Sequence, residues 1–155
     1  MRSGRRLAID VGKVRIGIAI SDFHGILASG LTNVPRAQTL QQTCDAIIDA
    51  IKDEEPLEIY VGLPLAMSGN HTASTEDAIA VARALAERVD IPIRMLDERL
   101  STVSATAALR ASGRDSKSGR KVIDQIAATV ILEQALQIEK QTNQIAGIEL
   151  EDLDD

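Results

Sequence analysis

Residues 6–21 read RLAIDVGKVRIGIAIS, and this stretch decides the fold. Two apolar runs, residues 7–11 and 15–21, lie on either side of Gly12 and Lys13. Short apolar runs separated by turn residues are typical of strands, so the stretch predicts two neighbouring strands joined by a tight turn.

The two faces of this hairpin differ in side-chain size. Side chains alternate between the faces of a strand, which puts Asp10 on the same face as Ala8. In the second strand, Gly17 and Ala19 alternate with isoleucines. Small residues therefore line one face, and we expect them to leave space above Asp10 for ions and a phosphodiester.

The rest of the chain has the pattern of an α/β protein. Predicted strands follow at residues 26–34, 57–61 and 92–96. Predicted helices cover residues 39–52, a segment opened by a capping box at Ser74 and Asp77, residues 101–111 and residues 121–138. Residues 112–120 have no period and are predicted to form a mobile basic loop. This order predicts a mixed five-stranded sheet with helices on both faces.

Length and composition indicate one ordinary globular domain. The chain has 155 residues, of which 45% are hydrophobic and 26% charged, and its one cysteine excludes an internal disulfide. We predict a domain over residues 1–140 and a disordered acidic tail over residues 141–155. No membrane span or signal pattern is visible, so the expected compartment is the cytoplasm and no membrane partner is expected.

The net charge of −6 hides a strongly uneven distribution. Residues 1–15 hold five basic side chains and one acid, and residues 94–121 hold seven basic side chains and three acids. Residues 22–90 hold eleven acids and four bases. Positive segments of this kind suit a polyanionic partner, because phosphate contacts dominate affinity for nucleic acids, although scattered solvated charges are the alternative.

Three acids lie where apolar patterns would not place them. Asp10 interrupts a strand, Glu98 follows one, and Asp124 opens the last predicted helix. A buried acid is unfavourable unless it is paired or binds a metal, so three acids on three elements predict a convergent cation site. Each acid also has a purely structural interpretation.

The structural interpretation of each acid depends only on its neighbours in the sequence. Asp10 could end a strand before a turn. The run Asp97-Glu98-Arg99 could form a local ion cluster, and alternation does not decide which of its acids faces a crevice. Asp124 could simply favour the dipole of its helix.

Four motifs resemble those of one known family. They are DVGKVRIGIAISD at residues 10–22, GLPL at residues 62–65 followed by Gly69, DERLST at residues 97–102, and DQIAA at residues 124–128. In their order and spacing over residues 5–136 they resemble the YqgF family of pre-16S rRNA nucleases, also described as Holliday junction resolvase-like. The resemblance implies a ribonuclease H-like fold. Val14 departs from the family pattern, which commonly has a basic or polar residue there.

The resemblance also implies a reaction and a set of site residues. It implies phosphodiester hydrolysis with two Mg²⁺ or Mn²⁺ ions, with Asp10 bridging both ions and with Glu98 and Asp124 each binding one. Carboxylates are the ligands that Mg²⁺ prefers. The substrate-binding residues are then predicted to be Lys13, Arg15, Arg99, Lys117, Arg120 and Lys121.

Several functions share these features. Precursor rRNA is the favoured substrate over branched DNA, with ribosomal particles as a further expected partner and a monomer or homodimer as the expected state. Cleavage of four-way DNA junctions and non-catalytic RNA binding are the alternatives. A sugar kinase or actin-like fold would need two such domains and is excluded by length. Phe23 and Tyr60 are the only aromatic residues, which disfavours recognition by base stacking.

Overall fold

The computed structural model describes residues 1–100 and 116–153, with the side chains of residues 1–99 and 125–153. The elements, in chain order, are β1 (Arg6–Val11), β2 (Arg15–Ser21), β3 (Ala28–Pro35), α1 (Leu40–Ile51), β4 (Glu58–Leu63), α2 (Ala73–Ala86), β5 (Ile93–Asp97), α3 (Ser116–Thr142) and β6 (Ile148–Glu149). Short 3₁₀ turns cover Glu98–Leu100 and Leu150–Asp152. No helix in these described ranges is long and apolar enough to cross a membrane.

The strands form one mixed sheet in the order β3-β2-β1-β4-β5-β6. Strands β3, β2 and β1 form an antiparallel meander, and β1, β4 and β5 are parallel. The predicted mixed α/β architecture is confirmed. The sheet has a sixth strand that the sequence analysis did not predict, since β6 is only two residues long and gives no pattern.

Helices cover both faces of the sheet, as predicted. Helices α1 and α2 pack against the face that carries Leu7 and Ile9. Helix α3 packs against the face that carries Ala8 and Ala19, both of which are fully buried. Over these two alanines the small side chains therefore accommodate α3 and leave no open space.

Two predicted boundaries also differ. Helix α2 is capped by Thr72, whose side chain accepts from the backbone N–H of Thr75, and the Thr75 hydroxyl accepts from the N–H of Thr72. The capping box predicted at Ser74 is thus two residues late. Helix α3 starts at Ser116, so residues 116–120 of the predicted basic loop are helical. The predicted helix at residues 101–111 and the loop residues 112–115 lie outside the described part.

The first basic residues do not form an open positive surface. Arg6 is fully buried, and its Nη2 lies 3.1 Å from Oε2 of Glu139. Arg2 bridges Glu139, at 2.6 Å, and Glu58, which also accepts a short hydrogen bond from the Tyr60 hydroxyl. We call these five residues the N-terminal ion cluster. It uses the charges of Arg2 and Arg6 for structure, so they are not available to a polyanion.

The acidic C-terminal segment, described up to residue 153, packs against the sheet, whereas the sequence predicted disorder for residues 141–155. Strand β6 pairs with β5, and Ala146 is buried. The Arg94 guanidinium donates to the carbonyls of Ala146 and Gly147 at 2.6 and 2.7 Å. Leu150 and Leu153 pack against the apolar cluster that contains Leu7 and Ile9. These apolar residues, interspersed among the acids, supply the burial that a purely charged tail would lack.

Deleting residues 144–155 is therefore expected to destabilise the protein by about 2–4 kcal/mol, since it exposes the edge of β5 and removes several buried apolar side chains. The measurement is urea denaturation at neutral pH. A truncation that removes only Asp154 and Asp155 is the control and should change little. An unchanged unfolding midpoint for the longer deletion would show that this segment contributes no stability.

Candidate active site

Asp10 lies near the carboxyl end of β1, between two glycines. Its direct partner across the antiparallel ladder is Gly17 of β2. On the other side, Ile9 pairs with Val61 of β4, and continuing the register by one residue places Gly62 beside Asp10. The Asp10 side chain thus has no large neighbour on either adjoining strand, which leaves room for another group.

Glu98 fills part of that room. It follows the last residue of β5, at the carboxyl end of the parallel strands, and its carboxyl group forms a hydrogen bond with that of Asp10. Burial, which is the largest cause, together with the charge and hydrogen bond of Asp10 and the charge of Asp97, raises the pKa of Glu98 to about 8. The pair therefore holds a proton at neutral pH, because two adjacent, partly buried carboxylates repel each other.

The neighbouring acid has a different role. Burial opposes ionisation of Asp97, but the larger effect is the hydrogen bond from Arg99, which lowers the pKa of Asp97 below its usual value. The Arg99 Nη2 lies 2.6 Å from Asp97 Oδ2. Of the two consecutive acids, Glu98 therefore faces Asp10, and Asp97 holds Arg99.

Gly62 lies where these groups meet, and a side chain there would displace them. A Cβ atom at this position would lie 2.6 Å from Oε1 of Glu98 and 2.7 Å from Cδ1 of Ile131 in α3. Both distances are shorter than real carbon contacts. The absence of a side chain at residue 62 thus lets α3 and the Glu98 carboxyl approach β4 together.

Gly62→Ala is expected to lower activity by about 100-fold, because a displacement of about 1 Å in a catalytic group has effects of this size. We also expect a stability loss of about 1–3 kcal/mol from overpacking. The double variant Gly62→Ala/Ile131→Val relieves the clash with α3 only, so it should regain stability without regaining activity. Recovery of activity in the double variant would show that the helix, and not Glu98, had been displaced. Steady-state kinetics and thermal melting separate the two effects.

Asp124, the third predicted ligand, belongs to α3, and its side chain lies outside the described part. The next residue, Gln125, contacts Gly30 of β3, and Ile131 reaches Gly62 of β4. Among the described side chains, no three acids, histidines or cysteines are grouped to hold a metal. The structure thus brings together Asp10 and Glu98, and the part of Asp124 stays a prediction.

The predicted substrate-binding residues lie in three places. Lys13 is exposed in the turn between β1 and β2, and Arg15, at the start of β2, is half-buried. Arg99 is held by Asp97 and also approaches the carbonyl of Met67. The remaining three are in the first turns of α3, with side chains outside the described part: Lys117, Arg120 and Lys121.

The sequence analysis missed a clamp on the turn beside Asp10. Arg36 donates to both carboxylate oxygens of Asp77, at 2.7 and 3.1 Å, and to the carbonyl of Gly12 at 3.2 Å. Its backbone N–H donates to the carbonyl of Val14. The turn that carries Lys13 is therefore tied to the start of α2. No local signal predicts this contact, since Arg36 and Asp77 are 41 residues apart.

The donor set fits a divalent cation. Asp10 and Glu98 offer carboxylate oxygens, the ligands that hard cations such as Mg²⁺ and Mn²⁺ prefer. The two carboxyl groups are hydrogen-bonded, partly buried and flanked by glycine. A bound cation would remove the repulsion that raises the pKa of Glu98.

The sheet order, the helices on both faces and the acids on β1 and after β5 define the class of ribonuclease H-like folds. The solved structure "T. thermophilus RuvC in complex with Holliday junction substrate" has this fold, with a TM-score of 0.60 at 12% sequence identity, over 93% of this chain and 99% of that one. At this identity the likeness concerns the fold alone.

The particular family follows from the sequence comparison. The family model described as "RuvX: Holliday junction resolvase" matches residues 4–138, and the chain belongs to this family. A relative from Leifsonia xyli subsp. xyli is 53% identical over 95% of this chain and 94% of its own length. One from Streptomyces avermitilis is 42% identical over 95% of this chain and 94% of its own. Both carry the name "Putative pre-16S rRNA nuclease".

Proposed function

We propose that the chain is a metal-dependent nuclease that hydrolyses phosphodiester bonds during maturation of the 5′ end of 16S rRNA, acting in the cytoplasm. The observation that carries the proposal is the half-buried, hydrogen-bonded pair Asp10–Glu98 at the carboxyl end of the parallel strands. Support comes from the names of relatives, one of which is 53% identical in sequence. Two such acids in a structural role would be unfavourable, because they leave a proton-dependent repulsion inside the protein.

Within this proposal, Asp10, Glu98 and Asp124 would hold two Mg²⁺ or Mn²⁺ ions. Such ions would supply an activated water and neutralise the charge of the attacked phosphate. The chain's own residues provide the geometry: Gly17 and Gly62 keep the space beside Asp10 open, and Asp97 directs Arg99 toward the same end of the sheet. Nucleic-acid phosphates would contact basic side chains at this end: Lys13, Arg15, Arg99, Lys117, Arg120 and Lys121.

The second candidate is cleavage of four-way DNA junctions, which the description of the matching family favours. The deciding experiment incubates the purified full chain with a precursor 16S rRNA fragment and with a synthetic four-way junction. Each substrate is tested with Mg²⁺, with Mn²⁺ and with a chelator. We expect metal-dependent cleavage of the precursor. Cleavage of the junction alone would select the second candidate, and binding without cleavage of either would select a non-catalytic role.

The substrate path is tested by salt dependence. Replacing Lys117, Arg120 and Lys121 with alanine should reduce the slope of log affinity against log salt by about 0.7–0.9 for each lost phosphate contact. The control replaces Lys52 and Arg83, on the helices of the opposite face, and should leave the slope unchanged. An unaltered slope in the triple variant would place the nucleic-acid path elsewhere.

A further inference from the structure

The turn between β2 and β3 displays apolar side chains at the end of the sheet away from Asp10. Phe23 is 56% exposed, Ile26 73% and Leu27 72%. Soluble proteins seldom expose several large apolar side chains together unless they bind something. The Gly4 N–H donates to the carbonyl of Phe23 at 2.6 Å, which places this turn six residues, or about 20 Å of strand, from Asp10.

The turn is held in one conformation. The Asp22 carboxylate accepts from the backbone N–H groups of His24, Ile26 and Leu27 at 3.3, 2.7 and 2.9 Å. The Asp22 N–H donates to the carbonyl of Leu27, and Gly25 takes the positive φ of +70° that the turn requires. The exposed apolar side chains are thus presented on a rigid loop, which reduces the entropy lost when a partner binds.

A groove beside the turn has room for an apolar side chain of a partner. A cavity of about 390 Å³ lies between the turn and α3, and it is lined by Ile26, Leu27, Leu136 and Gln137. A second cavity of about 340 Å³ is lined by Phe23 and by the acidic turn of residues 53–55. The turn between β2 and β3 thus contributes side chains to both cavities.

The charges around the two cavities indicate the kind of partner. Arg5 pairs with Glu54 at 2.9 Å. The other charged residues of the second cavity are the acids Asp53 and Glu55, whereas the first cavity is lined by Glu133, Lys140 and the N-terminal residue Met1. The negative charge therefore lies at the second cavity, where a phosphate backbone would be repelled. A second copy of this chain, with a net charge of −6, would bring like charges together across a two-fold axis.

We propose that the turn of residues 22–28 and the groove beside α3 dock a protein partner that presents an apolar side chain flanked by lysines or arginines. The apolar contact supplies the affinity, and the acids steer the partner and select its charge. Because the surface lies far from Asp10, docking leaves the proposed catalytic end open. The inference does not depend on the nuclease activity.

The test uses a defined probe, a synthetic amphipathic helical peptide with a leucine stripe and lysines on its other face. Fluorescence anisotropy measures its affinity for the full chain, and amide chemical shifts locate its site. We expect shifts at residues 22–28 and 133–140, with residues 10–12 and 97–99 unchanged. Peptides with serine for leucine, or glutamate for lysine, should bind at least about tenfold more weakly.

Variants of the chain complete the test. Ile26→Asp/Leu27→Asp should weaken peptide binding at least about tenfold and leave cleavage of naked RNA unchanged. Met67→Asp alters an even more exposed apolar residue elsewhere and is the control for peptide binding. Asp53→Lys/Glu55→Lys should weaken binding severalfold at low salt, with the difference fading at high salt.

Three results would overturn the proposal. Equal peptide binding by the Ile26→Asp/Leu27→Asp variant would show that the turn is not the docking site. Concentration-dependent dimerisation of the unaltered chain that this variant abolishes, measured by sedimentation, would assign the surface to a second copy. Loss of RNA affinity in the same variant would assign it to nucleic acid.

Discussion

Asp10→Asn is expected to fold normally and to lose hydrolytic activity by about 10³-fold or more, equivalent to a barrier increase of roughly 4 kcal/mol. The reason is that a neutral amide replaces a carboxylate at the centre of the proposed cation site. Cleavage of the precursor rRNA fragment in Mg²⁺ is the measurement. Asp90→Asn makes the same chemical change at an exposed position and should keep full activity.

The same substitution should stabilise the metal-free protein at alkaline pH. Burial and Asp10 raise the pKa of Glu98 to about 8, from an ordinary value of 4.5. The folded state therefore binds more protons than the unfolded state, and stability falls as pH rises from about 4.5 through 8. In Asp10→Asn the fall should be smaller, and in Glu98→Gln it should be smaller still, because burial is the largest cause of the shift.

Thermal melting between pH 5 and pH 9, with a chelator present, measures this effect. Full cleavage activity in well-folded Asp10→Asn would remove the proposed catalytic role of the pair. A melting temperature of the unaltered protein that does not fall over this pH range would show that the two carboxyl groups do not interact as the structure indicates.

Glu139→Ala is expected to destabilise the protein by about 3–5 kcal/mol, because it leaves the buried Arg6 guanidinium without its carboxylate. Burial alone would raise the pKa of Glu139, but hydrogen bonds from Arg2 and the charge of Arg6 lower it to about 2. The folded pKa lies below the unfolded value. This stabilisation is thus present above about pH 4.5 and is lost as the pH falls toward 2.

Urea denaturation at pH 7 measures the loss. Glu133→Ala removes an exposed acid from the same helix and is the matched control. Glu139→Gln keeps a hydrogen-bond acceptor and should lose less stability than Glu139→Ala, which provides a folded variant if the alanine variant does not fold. Equal stability of Glu139→Ala and Glu133→Ala would show that the N-terminal ion cluster contributes nothing net.

The hairpin shows what a local sequence pattern can predict and what it cannot. Alternation in residues 6–21 was enough to predict two strands and to place Asp10 on the small-residue face, and the observed pairs Asp10–Gly17 and Ala8–Ala19 confirm it. The same pattern could not show that α3 covers Ala8 and Ala19. Small residues are equally compatible with open space and with a closely packed helix, and the choice depends on another part of the chain.

In the C-terminal segment, by contrast, the local pattern and the structure differ. Five acids among residues 149–155 predict a solvated tail. The structure contains β6 and buries Ala146, because Arg94 offers donors to the backbone carbonyls of this segment. Composition averages over such residues, whereas the Arg94 guanidinium and the apolar side chains of Ala146, Leu150 and Leu153 hold the segment against the sheet.

The sequence by itself determined the mixed α/β class, the hairpin and the presence of acids at strand ends, because strand alternation and helical period are local. Only the tertiary structure decided that Glu98, and not Asp97, faces Asp10. It also decided that Arg2 pairs with an acid 137 residues away, so that this charge is not available to a polyanion. The physical reason is the same for both: pairing and desolvation depend on distances in space, and no local pattern specifies those distances.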